Sequence, residues 1–470
     1  MPSSTFRRTK IICTIGPASA SYLVLEQLHA AGMNIVRLNM SHATHESAAQ
    51  IVQWIRTLNR KVRYPVAILL DTQGPEIRTG DLEKPIQLSS GEVVELTVLD
   101  ETDVEHTSIR IHYNELVTSV SVGDRITVDN GLMNFKVLEK HGGRLKCLVL
   151  DGGTLGSKRH VNLPGIRVNL PAITEKDVKD IRFGVEQGVD FIALSFVRNA
   201  SDIHELRELL GEKAQAISII AKIEDQEGVD NKEEIAEVAD GLMVARGDLG
   251  IETNISEMPN IQRELVRVTA VKGRRCIVAT HLLESMIQNP IPTRAEVTDV
   301  ANAIYEGVDA IMLSGETGIG AYPVRCVQQL HDIAIASERF PGLGFESQLV
   351  ARDDKQYIAL SAVHLAHATR AVGIVVITRR GITADQVTNC NPIGVPVFAF
   401  TNISHTRRRL MLNRSVYSFR TAFSNDPEKT LQTAFKVLVE RAGLKPGDKV
   451  VVISDVLAES RVDAIQLREL

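Results

Sequence analysis

The chain of 470 residues is too long for one ordinary hydrophobic core, so we expect two or three domains. Its net charge of -5, without a basic block, argues against nucleic acid as a partner. No apolar run is long enough for a membrane span or a signal peptide, and five scattered cysteines without a C-x-x-C pair indicate a reduced cytoplasmic protein.

The chain begins with alternating strand and helix patterns. Apolar runs at 9–17, 34–42 and 65–72 predict three strands, and periodic runs at 21–31 and 45–60 predict the helices between them. Polar residues gather at the ends of these strands: Arg37, Asn39, Ser41, His42, Asp71, Thr72 and Arg78. The arginines can bind phosphate, and the oxygens suit a weakly charged cation. Alternatively, Asn39 and Ser41 satisfy backbone groups, and His42 is an ordinary loop histidine.

The pattern changes between residues 79 and 162. Apolar and polar residues alternate there with a period of two, and glycine-rich turns separate the runs. This alternation predicts a small β domain inserted into the series of strand–helix units, and we place its boundaries at 73–163.

Strand–helix alternation resumes after the insert. Thr174 is a candidate N-cap for a helix at 175–187. Five further strands, each followed by a helix, are predicted at 189–196, 217–223, 241–245, 275–280 and 308–313. Eight strand–helix units over roughly 250 residues are the pattern of a (β/α)8 TIM barrel. We assign residues 1–72 and 164–342 to this barrel.

The most informative stretch is ISIIAKIED at 217–225. It is an apolar strand that ends in Lys222 and Glu224, and residues two apart on a strand point to the same side. The next strand ends in RGD at 246–248. Two carboxylates beside a lysine suit a magnesium ion that also holds a phosphate. A surface ion pair next to a loop aspartate is the alternative.

Two further polar residues, Thr280 and Ser314, follow later strands, with Glu316 behind them. Every such cluster falls at a strand's carboxyl end, where TIM barrels carry their active sites. This agreement favours a catalytic site over a surface ion pair. Lysine, arginine and magnesium around one phosphate are the groups that phosphoryl transfer requires.

The segment 353–470 predicts a separate unit. A helix at 357–370 precedes a strand at 373–378, and further strands are expected at 395–401, 416–421 and 449–454, with a long helix at 427–442. This order predicts an open, mostly parallel α/β domain.

Seven stretches together resemble the pyruvate kinase family over the whole chain. They are TKIICTIGPA at 9–18, NIVRLNMSH at 34–42, LDTQGPEIR at 70–78, AKIE at 221–224, MVARGDLG at 243–250, PTRAEVTDVAN at 292–302 and IMLSGET at 311–317. The resemblance implies a TIM barrel, an inserted small β-barrel lid and a C-terminal α/β regulatory domain. It also implies the transfer of a phosphoryl group from phosphoenolpyruvate to ADP, giving pyruvate and ATP in glycolysis.

The resemblance further implies individual roles. Arg37 and Lys222 would hold the phosphoryl group, and Glu224 with Asp248 would bind Mg²⁺ or Mn²⁺. Gly247, Asp248 and Thr280 would bind the substrate, and Thr280 with Ser314 would protonate the enolate. The family pattern places K⁺ ligands at Asn39, Ser41, Asp71 and Thr72. It places the nucleotide near Pro17, His42, Arg78 and Arg159. A cytoplasmic homotetramer is implied as well.

Several residues depart from the family pattern. Met40 replaces a usual Phe, His160 a usual Gly and His281 a usual Gln. Glu76 goes with potassium dependence in the family, but Gln73 replaces a lysine common in that type. In the C-terminal domain, residues 378–384 stand where the family has a loop that binds a sugar phosphate. Arg380 replaces a hydroxyl residue of that loop, and Asp455 and Glu459 would repel a sugar phosphate. Regulation by fructose 1,6-bisphosphate is therefore doubtful.

Two alternatives to an active pyruvate kinase remain. The chain could be a different phosphoenolpyruvate-using barrel enzyme or a non-catalytic relative.

Overall fold

The computed structural model describes residues 6–99, 107–166, 168–454 and 464–470. The strands of these segments are β1 Lys10–Thr14, β2 Ile35–Asn39, β3 Ala67–Asp71, β4 Ile77–Arg78, β5 Ile86–Leu88, β6 Val93–Thr97, β7 Ser108–Arg110, β8 Arg125–Val128, β9 Met133–His141, β10 Arg144–Asp151, β11 Gly153–Leu155, β12 His160–Asn162, β13 Phe191–Leu194, β14 Ser218–Ile223, β15 Gly241–Ala245, β16 Arg275–Ala279, β17 Ala310–Leu313, β18 Gly373–Ile377, β19 Val397–Thr401, β20 Val416–Arg420, β21 Lys449–Ser454 and β22 Ala464–Glu469.

The α-helices of the same segments are α1 Tyr22–Ala31, α2 His45–Asn59, α3 Leu116–Ser119, α4 Glu175–Glu186, α5 Ala200–Leu210, α6 Gln226–Asp230, α7 Lys232–Val238, α8 Arg246–Glu252, α9 Met258–Lys272, α10 Arg294–Glu306, α11 Gly315–Gly318, α12 Pro323–Ser337, α13 Asp354–Thr369, α14 Ile382–Asn389, α15 Ser404–Arg409 and α16 Pro427–Val437. Thr174 caps α4 as predicted, because its hydroxyl accepts from the N–H of Asp177.

Eight parallel strands close into a barrel in the order β1-β17-β16-β15-β14-β13-β3-β2. This confirms the predicted TIM barrel. Alternate residues of each strand point inward, so apolar side chains such as Ile35, Leu69 and Ile220 fill the interior. The opposite faces pack on the surrounding helices in a larger core. The inward alternation determines which polar residues can meet at the open end.

The inserted segment forms a curled sheet. Seven strands are ordered β4-β12-β8-β9-β10-β6-β7, and β5 pairs with β11. A bridge between Thr79 and Ile111 joins the two edges, and Gly80 N donates to Arg110 O at 2.8 Å beside it. The sheet therefore closes on itself around its own apolar core, as expected of a small β-barrel lid. The boundary 73–163 stays a prediction.

The C-terminal sheet has the order β20-β19-β18-β21-β22, and only β22 runs antiparallel among these described strands. β22 was not predicted, because its alternation of side chains is weak and it lies half-exposed at an edge. The predicted helix at 427–442 ends as an α-helix at Val437 and continues as a π-helix over Leu438–Ala442. The prediction about Asp455 and Glu459 lies outside the described residues.

The C-terminal domain covers the amino-terminal end of the barrel. Met411 and Leu412 pack into the barrel's interior core. Lys10 at the start of β1 is 1% exposed, and its Nζ donates to the carbonyl of Val416 at 2.5 Å. Lys10 also lies 4.5 Å from the ring centroid of Tyr417. A lysine without a carboxylate contact among the described residues is thus buried between the two domains.

Replacing Lys10 with Met tests this arrangement. Burial, and then the charge of Arg7, lowers the pKa of Lys10 from 10.5 to about 7. Between these pH values the unfolded chain binds a proton that the folded chain does not, so this group makes stability rise with pH. We expect Lys10→Met to raise the thermal midpoint most near pH 7. This gain over the wild type should disappear as the pH approaches about 10. Calorimetry across this range, with exposed Lys213→Met as control, measures it; a pH-independent difference would contradict a neutral buried lysine.

None of the helices in the described segments combines the length and apolar character needed to cross a membrane. All five cysteines are free thiols, and Cys13, Cys147, Cys276 and Cys326 are buried.

Candidate active site

The carboxyl ends of β2, β3 and β14 bring four charged side chains together. Lys222 Nζ lies 3.0 Å from Asp71 Oδ1 and 2.9 Å from Glu224 Oε1. Arg37 Nε donates to Asp71 Oδ2 at 2.5 Å. None of the four residues is more than 9% exposed. Each continues the inward alternation of its strand, so two cations and two carboxylates share one desolvated site.

The pKa values of this cluster follow from burial and from its mutual charges. Burial opposes the charge on Lys222, but Asp71 and Glu224 outweigh it and raise the Lys222 pKa above its ordinary value. Burial likewise opposes the charge on Asp71, but Arg37 and Lys222 hold the pKa of that carboxyl below its ordinary value. Burial raises the pKa of Glu224 to about 7, with the negative charge of Asp248 adding to the shift and Lys222 opposing it. Glu224 and Asp248 therefore repel each other, and a shared cation would relieve that repulsion.

Ser195 is a site residue that the sequence analysis missed. It follows β13, and its Oγ accepts from Lys222 Nζ at 2.6 Å and donates to the carbonyl of Thr72 at 2.8 Å. The hydroxyl thereby fixes the position of the ammonium group. The available signal was its place at the end of a predicted strand, but the sequence alone does not show that this hydroxyl contacts Lys222.

Glu224 accepts a hydrogen bond from the backbone of the loop that follows the neighbouring strand β13. Phe196 N donates to Glu224 Oε2 at 2.7 Å, and Phe196 has a left-handed φ of 50°. Such a backbone conformation is uncommon for a bulky residue. A strained turn thus aims an N–H group at the carboxylate.

The turn after β16 is also strained and is held by an arginine. Thr280 and His281 have φ values of 67° and 54°, which disfavour a β-branched residue. Arg246 donates to the Thr280 carbonyl through Nε at 3.1 Å and Nη2 at 2.6 Å. Asp299 binds the other side of Arg246 at 2.8 Å. The Thr280 hydroxyl accepts from Gly247 N at 2.8 Å, so two of the residues expected to bind the substrate are in direct contact.

Ser314 follows β17, next to the strand that carries Thr280. Its N–H donates to Glu316 Oε2 at 2.8 Å, and Glu316 Oε1 accepts from Leu283 N at 3.0 Å. The Oγ of Ser314 is buried and has no hydrogen-bond partner within the described residues. An unpaired buried hydroxyl costs stability, so its position suits a role toward a ligand or a proton.

The four residues expected to bind potassium lie on adjacent strand ends. Asn39 pairs with Asp71 in the register of β2 and β3. Asn39 Oδ1 accepts from Ser41 N at 3.2 Å. The Thr72 hydroxyl donates to the Ala193 carbonyl at 3.3 Å and accepts from Ser195 N at 3.1 Å. Part of this oxygen-rich group is thus engaged in backbone contacts, as the alternative interpretation of Asn39 anticipated.

The expected nucleotide residues fall into two pairs. Pro17 and His42 are exposed and follow β1 and β2. Arg78 and Arg159 lie at the base of the lid, where β4 pairs with β12. Arg78 is bound to Glu76, and Arg159 lies 3.3 Å from Asp129. Both arginines are therefore already paired with carboxylates.

The departures from the family pattern are accommodated locally. Met40 is 1% exposed, which agrees with a packing change. His160 is an ordinary strand residue paired with Arg78, and Lys158, two residues earlier, has a left-handed φ of 55°. Gln73 Nε2 donates to Glu76 Oε2 at 3.2 Å. His281 is exposed.

The protein supplies few ligands for a divalent metal. Within the described segments no group of three or more His, Cys, Asp or Glu side chains is arranged to hold a metal ion. Glu224 and Asp248 are two carboxylates, which fits Mg²⁺ because that ion keeps several positions for water and substrate phosphate.

Comparisons with known proteins identify the family. The model of the pyruvate kinase barrel domain matches residues 6–327, and the model of the pyruvate kinase alpha/beta domain matches residues 356–465. A pyruvate kinase of Geobacillus stearothermophilus is 44% identical over 461 residues, covering 96% of this chain and 78% of the relative. A pyruvate kinase of Dictyostelium discoideum is 41% identical, covering 97% and 92%, and plastidial pyruvate kinase 2 of Arabidopsis thaliana is 39% identical, covering 95% and 78%.

Two domain models, and relatives that match at least 95% of this chain, agree with the observed barrel and C-terminal sheet. The chain therefore belongs to the pyruvate kinase family of enzymes.

Proposed function

We propose that this chain transfers the phosphoryl group of phosphoenolpyruvate to ADP, giving pyruvate and ATP in glycolysis. The observation that carries the proposal is the position of Lys222, whose ammonium group lies between Asp71, Glu224 and Ser195 inside the barrel mouth. A dianionic phosphate and a developing enolate are both stabilised by a cation held in advance in a desolvated site. The geometry favours this function over a non-catalytic role.

Arg37 and Lys222 would hold the phosphoryl group during transfer. The Nε of Arg37 donates to the Asp71 carboxylate, and its Nη1 donates to the Thr14 hydroxyl at 2.9 Å. Its Nη2 has no protein acceptor among the described contacts, so it is free for a phosphoryl oxygen. Little covalent chemistry is needed from the protein in such a reaction, and positioning with charge stabilisation supplies most of the rate.

The carboxylate of the substrate would lie against Gly247, Asp248 and Thr280. The hydrogen bond between Gly247 N and the Thr280 hydroxyl at 2.8 Å, which brings the two groups next to each other, supports a shared contact with one small anion. Lys222 would offset the negative charge that develops on the enolate oxygen. Thr280 and Ser314 would then belong to the path that brings a proton to the enolate carbon, because Ser314 Oγ is buried without a protein partner in the described segments.

Glu224 and Asp248 would hold Mg²⁺ or Mn²⁺. The two carboxylates repel each other, and each carboxylate oxygen keeps acceptor capacity beyond its present contact. When bound, the divalent ion would supply charge neutralisation at the phosphoryl and carboxylate oxygens. Asn39, Ser41, Asp71 and Thr72 would hold K⁺, a proposal supported by the pairing of Asn39 with Asp71.

ADP would lie between the barrel and the lid, near Pro17, His42, Arg78 and Arg159. Arg78 lies on β4 and Arg159 directly precedes β12, the strand that pairs with β4, and both arginines would exchange their carboxylate partners for phosphate oxygens. A homotetramer and a cytoplasmic location remain predictions from the family.

The first test is pyruvate formation from phosphoenolpyruvate and ADP with magnesium, in matched potassium and tetramethylammonium buffers. We expect turnover that rises with K⁺, because an oxygen-lined site beside Lys222 and Arg37 would order the phosphate-binding cluster. Turnover that does not depend on K⁺ would leave the proposed reaction standing. It would contradict the K⁺ site and the inference of potassium dependence from Glu76. No turnover in either buffer would contradict the proposed reaction.

A further inference from the structure

Helix α8 lies between the candidate active site and the base of the lid. It directly follows β15, and its first turn contains Gly247 and Asp248, two of the residues proposed to bind the substrate. Its last residue, Glu252, accepts a hydrogen bond from Asn162 Nδ2 of the lid at 2.6 Å. This distance is short for an N–H···O bond and is typical of a carboxylate acceptor. One helix of seven residues therefore has substrate residues at its start and a lid contact at its end.

Asn162 belongs to the segments that connect the lid with the barrel. It ends β12, the strand through which the chain leaves the lid. β12 pairs with β4, the strand through which the chain enters the lid, and the register places His160 opposite Arg78. Thr79 N also donates to the carbonyl of Arg159 at 2.8 Å. The two connections therefore form one paired ribbon, which carries both arginines proposed to bind the nucleotide.

The turn at 129–132, which follows β8, gives the lid a second contact with α8. A methyl group added to Gly131 of this turn would lie 3.8 Å from Ile251 Cγ1. Asp129 N donates to the carbonyl of His160 at 2.9 Å, so the turn is attached to the ribbon. Consecutive residues of α8, Ile251 and Glu252, thus set the position of the ribbon relative to the barrel.

The carboxyl group of Glu252 is held by neutral donors. Burial raises its pKa to about 7; the hydrogen bond from Asn162 opposes this shift, and the charges of Asp225 and Asp248 add to it. Among the described residues Glu252 forms no ion pair, and the only side-chain hydrogen bond of Asn162 is the one to Glu252. A desolvated carboxyl group without a cation costs free energy. The contact with the lid is what the protein gains from placing the carboxyl group there.

We propose that Glu252 is a positioning residue for nucleotide binding, which fixes the ribbon to α8 through Asn162 and thereby holds the two nucleotide arginines at a set distance from the substrate residues. The inference rests on the proposed function, because that function assigns Arg78 and Arg159 to ADP. Glu252 does not itself contact the nucleotide in this arrangement. Its effect passes through Asn162 to the ribbon, and a displacement of about 1 Å is enough to impair a phosphate contact.

A role in stability alone predicts a different result. If the hydrogen bond between Asn162 and Glu252 only stabilised the fold, its loss would lower the thermal midpoint and leave the KM values of the folded enzyme unchanged. A positioning role raises the KM for ADP, because Arg78 and Arg159 lie on the ribbon. It affects phosphoenolpyruvate less, because the substrate residues lie in the first turn of α8, next to β15. The two KM values therefore distinguish the roles.

Steady-state kinetics of three variants test the proposal. We expect Glu252→Leu to raise the KM for ADP by roughly tenfold, with a smaller rise in the KM for phosphoenolpyruvate. Glu252→Gln keeps an acceptor for Asn162 and should retain a KM for ADP close to that of the wild type. Glu139→Gln changes an exposed lid carboxylate and is the matched control, with both KM values unchanged. An unchanged KM for ADP in folded Glu252→Leu, equal rises in both KM values, or a Glu252→Gln variant as impaired as Glu252→Leu would overturn the proposal.

A double-mutant cycle shows whether Glu252 acts through Asn162. We expect Asn162→Leu to raise the KM for ADP as much as Glu252→Leu does, and the double variant to be no worse than either. Effects that multiply to about a hundredfold would mean that the residues act independently and would overturn the proposal. If Glu252→Leu does not fold, as judged by its thermal midpoint, Asn162→Leu and Glu252→Gln decide.

Calorimetric titration with ADP and Mg²⁺ separates this inference from the proposed reaction. A wild-type chain that binds ADP without forming pyruvate, together with a Glu252→Leu variant that binds ADP about tenfold more weakly, would contradict the reaction and support the positioning role. A wild-type chain that forms pyruvate, together with a Glu252→Leu variant that binds ADP as tightly, would overturn the positioning role alone. A wild-type chain that does not bind ADP would overturn both.

Discussion

Replacing Lys222 with Met should lower kcat for pyruvate formation by about 10³-fold to 10⁵-fold, because it removes the cation that stabilises the transferring phosphoryl group and the enolate. Met occupies a similar volume, so Ser195 and the barrel interior keep their packing. Binding of Mn²⁺, measured by electron paramagnetic resonance, should persist, because Glu224 and Asp248 remain and lose a competing positive charge. Turnover near the wild-type level would remove Lys222 from the mechanism.

A second variant separates catalysis from folding. Lys222→Met leaves Asp71 and Glu224 with less compensating charge, and breaking a buried ion pair costs about 3–5 kcal/mol. Lys222→Arg keeps the charge but replaces a compact ammonium group with a planar fork. We expect Lys222→Arg to retain the wild-type thermal midpoint more closely than Lys222→Met and still to lose most of the turnover. If Lys222→Arg were fully active, charge alone would suffice and the placement by Ser195 would be unimportant.

Replacing Arg246 with Met should lower kcat by about 10²-fold, although Arg246 is not among the residues assigned to phosphoryl transfer. Its two hydrogen bonds to the Thr280 carbonyl hold a turn in which Thr280 and His281 both have left-handed backbone conformations. Each such residue costs about 1–3 kcal/mol and persists only when its surroundings enforce it. Without Arg246 the turn would relax and carry the Thr280 hydroxyl away from Gly247.

Three further variants identify the cause. Arg246→Lys should not restore activity, because a single ammonium group cannot reproduce the two-donor contact. Asp299→Asn should cause a smaller loss, since it weakens the support of Arg246 without removing it. His281→Gly, combined with Arg246→Met, should recover part of the activity, because glycine adopts the left-handed conformation at little cost. Failure of this rescue, with folding intact, would argue that Arg246 acts by its charge and not by holding the turn.

Much of the fold was predictable because parallel strands covered on both faces appear as continuous apolar runs. The eight barrel strands therefore stood out, as did the period-two alternation of the lid. The edge strand β22 carries a weaker signal, because one face is partly exposed and its residues are mixed. The π-helical end of the helix at 427–442 gives no separate pattern in the sequence.

The candidate site was predictable where charge interrupts an apolar strand. Lys222 and Glu224 are conspicuous for that reason, and Asp71 and Arg37 follow from the same inward alternation. Ser195 and Arg246 were not assigned roles, since a serine or an arginine near a strand end has many possible partners in sequence. Only the contact of Ser195 with Lys222, and of Arg246 with Thr280, gives them a function.

The sequence by itself determined the family, the barrel and the residues that point into its mouth, because strand periodicity and short motifs are local properties of the chain. The tertiary structure alone decided which side chains meet across strands: the ion-paired Lys222, the strained turn held by Arg246, the buried Lys10 and the contact of Glu252 with the lid. These features depend on distances between residues far apart in sequence. Such distances are set only when the barrel closes and the C-terminal domain packs against its base.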